Sequence, residues 1–390
     1  MGKIKQLACF FVVISVMMVL QLVVTLLLTI PSSNSSDSGN SSNRSVSYSS
    51  INGTKKILLW TNSWGYRFLP MGRLSFIDRA CPISNCLITY NSSSVEHLED
   101  FDAFVIHPPT QRSRWTALKQ RRAEHIFVLF STEPPYHMPP MTPFDNYFNW
   151  SMTYLHDSDF HLRYGDIVAL ATAPTNRREV MALRREVGAA GVNPARGKSK
   201  LAVWLVSNCQ SPSNREEYVT KLRQFVTIDV WSQDGRCRGV DACPRRDNGA
   251  VCYDRIERHY KFYLSFENSI CREYVTEKFF EMMARNVVPV VLGGADYAAI
   301  APPHSFINAL DYSPQQLAVY LKRLDADDSL YAEYFWWKPH YQVRNLIDTN
   351  RQVFCDLCAA LHGQPLKRQT LTALQKWYVE DSQCRDHPHY

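Results

Sequence analysis

Glu267-Asn268 ends the apolar run Phe262–Phe266, and Tyr274-Val275-Thr276-Glu277-Lys278 follows after a short loop. An apolar run of that length reads as a buried strand. Thr276–Asn286, with Phe279, Phe280 and Met283 on one side, reads as a helix. The start of a helix attracts anions, because free N–H groups and the helix dipole point outward there. Lys278 in the first turn opposes that dipole. A diphosphate or another anion at the turn would relieve the conflict. A solvated surface lysine beside Glu277 is the plainer alternative, and the residues themselves leave both open.

Two more charged groups sit just past predicted strands. Arg215 lies in Ser213-Asn214-Arg215, beyond the strand Leu201–Val206. Ser213 with Glu216 reads as a capping box, and Val219, Leu222 and Val226 mark the apolar face of the helix it opens. Glu133 lies in Ser131-Thr132-Glu133-Pro134-Pro135, after the strand His125–Phe130. A carboxylate at a strand end, held by two prolines, is positioned rather than floppy. By residue type alone each is more often an ordinary surface charge. Asp157-Ser158-Asp159 has the spacing of a metal-binding acidic pair, but lies far along the chain from the phosphate candidates. Cys355-x-x-Cys358 could be half a zinc site or a redox pair. No second such pair accompanies it, which favours disulfides. Gly293-Gly294 lacks the dinucleotide fingerprint, and Trp336-Trp337 reads as packing.

The elements that must hold these groups alternate strand and helix. Strands are expected at Lys56–Trp60, Ala103–His107, His125–Phe130, Leu201–Val206, Thr227–Trp231, Phe262–Phe266 and Val287–Leu292. Helices are expected at Arg177–Val187 and Thr276–Asn286, after Ser213, and after Ser313, where Pro314 and Gln316 complete a cap. Met141–Phe148 and Asp157–Gly165 read as surface loops. The pattern predicts an α/β fold of two doubly wound domains, 56–195 and 196–390, divided in the Gly/Ala/Lys-rich stretch 188–200. Ligands in such sheets bind beyond the carboxyl ends of the strands.

The N-terminus is different. Residues Leu7–Ile30 are almost wholly apolar and would span roughly 36 Å as a helix, enough to cross a hydrocarbon core of about 30 Å. Lys3 and Lys5 precede it, so the positive-inside rule keeps residues 1–6 cytosolic. The run is too long for a cleaved signal peptide. Residues 31–55, rich in Ser and Asn, read as a disordered stem. Glycosylation acceptors stand at Asn34, Asn40, Asn43 and Asn52, with more at Asn91 and Asn149. Cys9 lies in the anchor. The other cysteines form an even set, which suits an oxidising lumen. A net charge of +6 and pI of about 8.7 suit an anionic substrate without calling for nucleic acid.

The run FYLSFENSICREYVTEKFF, then VVPVVLGGADY and APPHSFINALDY, resembles the donor half of the α1,3-fucosyltransferases, glycosyltransferase family 10. STEPPYHMPP and FNWSMTYLHDSDF resemble the same family's acceptor half. The likeness runs from about residue 57 to 358. It implies a GT-B fold of two Rossmann-like lobes and a Golgi type II membrane enzyme. The substrates it implies are GDP-fucose and a glycan acceptor on a glycoprotein or glycolipid. It also implies an inverting reaction with no required metal, a divalent cation being at most a stimulant. Asn268, Tyr274, Glu277, Lys278 and Arg215 would bind the donor. Within that set Glu277 would take ribose hydroxyls, while Lys278 and Arg215 would meet phosphate. Glu133 would be the general base. The same resemblance implies the bridges Cys81–Cys355 and Cys86–Cys358, and a structural role for the Asp157/Asp159 stretch. The chain departs from the family at Gln111-Arg112-Ser113-Arg114-Trp115, where members that build Lewis-type antennae carry a His-His-Trp-Asp-like motif. The acceptor therefore stays open between antennal and core N-acetylglucosamine. A catalytically silent relative and a metal-dependent GT-A transferase are the remaining rivals.

Overall fold

The computed structural model describes residues 53–60, 71–90, 98–108, 121–189, 193–232, 237, 239–240, 243, 249–363, 365–367, 369–386 and 388–390. Residues 7–30, Cys9, Asn34, Asn40, Asn43, Asn52, Asn91 and the stretch Gln111–Trp115 lie outside this set. Among the described residues no helix is long and apolar enough to cross a membrane.

The first sheet is built from β1 (Lys55–Leu59), β2 (Cys86–Tyr90), β3 (Ala103–Ile106), β4 (Ile126–Ser131), β5 (Trp150–Thr153) and β6 (Phe160–His161), in the order β2-β1-β3-β4-β5-β6. All its pairings are parallel. A two-stranded antiparallel ribbon joins β7 (Gly165–Ala169) to β13 (Tyr341–Asn345). The second sheet contains β8 (Lys200–Val206), β9 (Ile228–Ser232), β10 (Tyr260–Phe266), β11 (Val288–Leu292) and β12 (Ile307–Asn308). Its order is β12-β11-β10-β8-β9, again all parallel. Strands β4, β10 and β11 are buried at every position. That burial is why they read as largely apolar runs rather than alternating ones.

The helix Leu346–His362 returns to the first sheet, where Val353, Phe354, Leu357 and Leu361 pack with Ile57, Leu59, Ile88 and Val105. Asn345 caps it by accepting from the Ile347 and Asp348 N–H groups. Cys81–Cys355 and Cys86–Cys358 weld it in place across 274 and 272 residues. The first crosslink over so long a loop is worth up to about 5 kcal/mol in the chain-entropy picture. The second closes only a small residual loop and adds far less. Three further bridges join Cys209–Cys237, Cys243–Cys252 and Cys271–Cys384. Cys355 and Cys358 thus bond to different partners, which removes both the zinc and the redox-pair readings.

From Leu371 the chain ties the two sheets' loops together. The Leu371 N–H donates to the Phe148 carbonyl, the Leu374 N–H to the Asp145 carboxylate, and Gln375 Oε1 accepts from the Met141 N–H. Beyond Cys384, the Arg385 N–H donates to the Ile270 carbonyl, and the Tyr390 hydroxyl to the Ser213 carbonyl at 2.7 Å.

Several expectations need correction. Asp157–Gly165 is not all loop, since β6 lies within it and β7 begins at its end. Strands β2 and β5 and the helices Ala250–His259 and Leu346–His362 were not foreseen. The Ser313/Gln316 capping box forms, but the one at Ser213 does not. That helix starts at Arg215 behind Asn214, whose φ of 51° is left-handed. The Ser213 hydroxyl instead donates to the Glu267 carbonyl. Asn149, expected as a glycan acceptor, is engaged inside the fold. It is 8% exposed; its Oδ1 accepts from the Phe127 N–H and its Nδ2 donates to the Gln369 carbonyl, both at 2.9 Å. The folded chain therefore does not present that amide.

Candidate active site

Strand β10 delivers Glu267 to a fully buried position, 0% exposed. Thr276 gives this carboxylate both its backbone N–H, at 2.8 Å, and its hydroxyl. Lys278 Nζ lies 3.2 Å from Glu267 Oε2, 2.7 Å from Thr276 Oγ1 and 3.2 Å from Glu277 Oε1. Burial pushes the Glu267 carboxyl up, with Lys278 pulling the other way. Burial would lower the Lys278 ammonium, but the charges of Glu267 and Glu277 override it and hold it above its usual value. Glu277 is held low by the same ammonium, despite burial acting to raise it.

Part of the helix start is already engaged within the chain. The helix runs only from Glu277 to Met283, and Thr276, at its N-cap, gives its N–H to Glu267. The conflict between Lys278 and the dipole is resolved inside the chain, by two carboxylates. Glu267, which had no assigned role in the sequence, is the counter-ion.

Arg215 is the second cation, only 3% exposed. Its Nη1 donates to the Phe266 carbonyl at 2.6 Å and its Nη2 to the Asn208 carbonyl at 3.1 Å. Its guanidinium stands 5.6 Å from the Trp204 ring centroid. Its Nε is buried without a hydrogen-bond partner, and the nearest carboxylate, Glu216, is 3.7 Å away. Burial lowers its pKa, yet a guanidinium stays charged. A buried cation with an idle N–H is costly unless an anion meets it. Arg215, Glu277 and Lys278 line one cavity of about 200 Å³ with Ser207, Tyr253 and Tyr263.

Glu133 follows β4 in the first sheet. Its N–H donates to Ser131 Oγ at 3.1 Å. Its carbonyl accepts from the hydroxyl of Tyr378 in the C-terminal segment. Its carboxylate makes no hydrogen bond among the described residues. Burial raises its pKa, and the charges of His137 and Lys278 only partly offset that. Asn268, at the end of β10, reaches across to this loop, with Nδ2 3.1 Å from His137 Nε2. Tyr274 is 2% exposed and meets Tyr154 and Tyr164 edge to face, at 5.2 and 6.3 Å. Burial holds its phenol well above the usual value. Tyr164 in turn donates to the Thr132 carbonyl at 2.7 Å, next to Glu133.

The fold therefore gathers Arg215, Glu277 and Lys278 around one cavity. It brings Glu133, Asn268 and Tyr274 close by through the tyrosine cluster and His137. Sequence reading missed His137, whose only local signal is its place four residues after Glu133. Asp159 is committed elsewhere: it accepts from the Ser151 N–H and hydroxyl and from Gln369 Nε2, with Lys367 at 3.6 Å.

Residues 195–377 match the family model described as glycosyltransferase family 10 (fucosyltransferase) C-term, and residues 52–165 match that of the fucosyltransferase N-terminal domain. The chain is 34% identical over 354 residues to α-(1,3)-fucosyltransferase C of Drosophila melanogaster, covering 86% of this chain and 80% of that protein. It is 32% identical over 332 residues to α-(1,3)-fucosyltransferase 7 of Bos taurus, covering 83% and 86%. A crystal structure of an α1,3-fucosyltransferase with GDP-fucose has the same fold. Its TM-score is 0.50 at 16% identity, with 83% of this chain and 96% of that one covered.

Proposed function

Because the chain belongs to glycosyltransferase family 10, the fucosyltransferases, we propose that it moves L-fucose from GDP-β-L-fucose in α1,3 linkage to N-acetylglucosamine of a glycan acceptor. The observation that carries this is the cavity holding Arg215 and Lys278 together, with an idle Arg215 Nε. The diphosphate of the donor fits those two cations, and the partly exposed Glu277 fits ribose hydroxyls.

Glu133 acts as general base. It takes the proton from the acceptor hydroxyl as that oxygen bonds to the anomeric carbon. The bond from that carbon to the β-phosphate oxygen breaks, and the electron pair leaves with GDP. One displacement turns the β donor into an α product. A carboxyl raised by burial is a better base near neutral pH than an ordinary glutamate. Arg215 and Lys278 stabilise the charge that grows on the leaving diphosphate. The Thr276 N–H and hydroxyl are left out of this scheme, because Glu267 accepts both.

We also place Leu7–Ile30 as a signal anchor with the catalytic part in the Golgi lumen. The length of the apolar run, Lys3 and Lys5 before it, the sequons after it and five disulfides support that location.

The test is a transfer assay. The luminal fragment is incubated with labelled GDP-fucose and a glycan panel, beside Glu133→Gln. Transfer by wild type and its loss in the variant are expected. A variant near the wild-type rate removes Glu133 as the base.

A further inference from the structure

The turn Ser213-Asn214-Arg215 brings Arg215 to the cavity it shares with Lys278. It is not a self-supporting turn. Asn214 has a left-handed φ of 51°, and its side chain makes no cap bond to the helix Arg215–Leu222. A residue other than glycine keeps such a conformation only where its surroundings hold it.

Two sets of contacts hold it. From the end of β10, the Glu267 carbonyl accepts from the Ser213 hydroxyl and the Asn268 carbonyl from the Ser213 N–H. The rest come from the segment Cys384–Tyr390. The Tyr390 hydroxyl donates to the Ser213 carbonyl at 2.7 Å. Asn214 Nδ2 donates to the Pro388 carbonyl at 3.1 Å, and Lys221 Nζ to the Tyr390 carbonyl. The Tyr390 ring meets Tyr218 at 5.1 Å, and Tyr218 meets Phe266 at 5.5 Å. Phe266 supplies the carbonyl that accepts from Arg215 Nη1.

The other end of this segment is tied to the loop that leads to Lys278. Cys384 is bridged to Cys271, and the Arg385 N–H donates to the Ile270 carbonyl at 2.9 Å. Seven residues therefore connect the loop before Lys278 with the turn before Arg215. These are the two cations of one cavity.

We propose that Cys384–Tyr390 is a strap across the donor site, with Tyr390 as a positioning residue: its hydroxyl and ring fix the Ser213–Arg215 turn and so aim Arg215 at the donor's diphosphate. This rests on the donor role proposed above for Arg215. Both Nη atoms of Arg215 are spent on the Phe266 and Asn208 carbonyls, and its Nε has no partner. Only the Nε–H is left to meet a phosphate oxygen. A charge-assisted hydrogen bond of that kind depends on direction, so its strength follows the set of the turn. Tyr390→Phe keeps the ring on Tyr218 and removes only the bond to the Ser213 carbonyl.

The experiment measures GDP binding by calorimetry, with the KM for GDP-fucose and for the acceptor. It uses the full chain as wild type, Tyr390→Phe, Arg215→Lys and the double variant, all checked by thermal melting. Tyr390→Phe should weaken GDP binding and raise the KM for GDP-fucose roughly three- to tenfold, the loss of about one hydrogen bond. The KM for the acceptor should stay within about twofold of wild type. In the Arg215→Lys background the same change should cost almost nothing further, because the two residues act as one unit. If Tyr390→Phe binds GDP as wild type does while Arg215→Lys does not, the strap is wrong and the donor reading stands. A Tyr390→Phe loss that simply adds to that of Arg215→Lys also overturns it, since the tyrosine then acts elsewhere. If Arg215→Lys itself binds GDP normally, the donor reading fails and the strap falls with it. Should Arg215→Lys not fold, the split between the two KM values in Tyr390→Phe decides.

Discussion

The hydroxyl of Tyr378 donates a 2.5 Å hydrogen bond to the carbonyl oxygen of Glu133, a residue 245 positions earlier. Tyr378 is fully buried and lies edge-on to Tyr154 at 6.1 Å. The backbone of the Glu133 loop is thus held from the C-terminal segment. The same segment is bridged to the donor half by Cys384–Cys271 and docks on the Ser213 carbonyl through Tyr390.

Tyr378→Phe should loosen that loop without emptying the core. The Glu133 carbonyl keeps the Ser131 hydroxyl at 3.2 Å, so the cost is about 1 kcal/mol of stability. Steady-state kinetics should show kcat down a few-fold with the KM for GDP-fucose nearly unchanged. A large rise in KM with kcat intact would contradict this.

Lys278→Ala should lose stability as well as transfer. It strands a fully buried Glu267 without its ammonium, a change worth about 3–5 kcal/mol. Adding Glu267→Gln should recover much of that stability, because the uncompensated charge is gone, but no activity. Melting and transfer assays on the single and double variants check the coupling. A single variant as stable as wild type would mean that the pair is not coupled as its geometry indicates.

The acid limb of the rate profile should lie above the ordinary glutamate range. Burial raises the Glu133 carboxyl above 4.5, and a general base works only when deprotonated. Activity is therefore full above the raised value and lost as the pH falls through it. A profile of kcat/KM that stays flat down to the usual glutamate range would be inconsistent with this burial.

Asn149→Gln should leave the glycan content unchanged and lower stability by about 2 kcal/mol. Its amide is fully engaged with Phe127 and Gln369, and the longer side chain cannot keep both bonds. Glycopeptide mass spectrometry of the wild-type chain should find Asn149 bare. A glycan there would refute the packing described.

Much of this architecture was legible locally. β4, β10 and β11 are buried on both faces, so their side chains are mostly apolar rather than alternating, and Ser313-Pro314-x-Gln316 spells its own cap. β2 was not legible, because Cys-Leu-Ile-Thr-Tyr is buried on one face only and carries a cysteine whose partner is 272 residues away. The site divides the same way. Arg215, Glu133 and the Asn268–Lys278 block stand out as charges at strand ends. Three facts depend on contacts that no local window contains: Glu267 as counter-ion, the carbonyls that bury Arg215, and the His137–Asn268 contact. The Ser213 hydroxyl shows why such windows mislead, since it leaves its expected cap to donate to the Glu267 carbonyl 54 residues on.

The most direct measurement is a crystal structure of residues 53–390 soaked with GDP. The account predicts the diphosphate in the cavity between Arg215 and Lys278, with an oxygen on Arg215 Nε and the ribose beside Glu277. A nucleotide bound elsewhere, or an Arg215 Nε still unpartnered with GDP present, would contradict it.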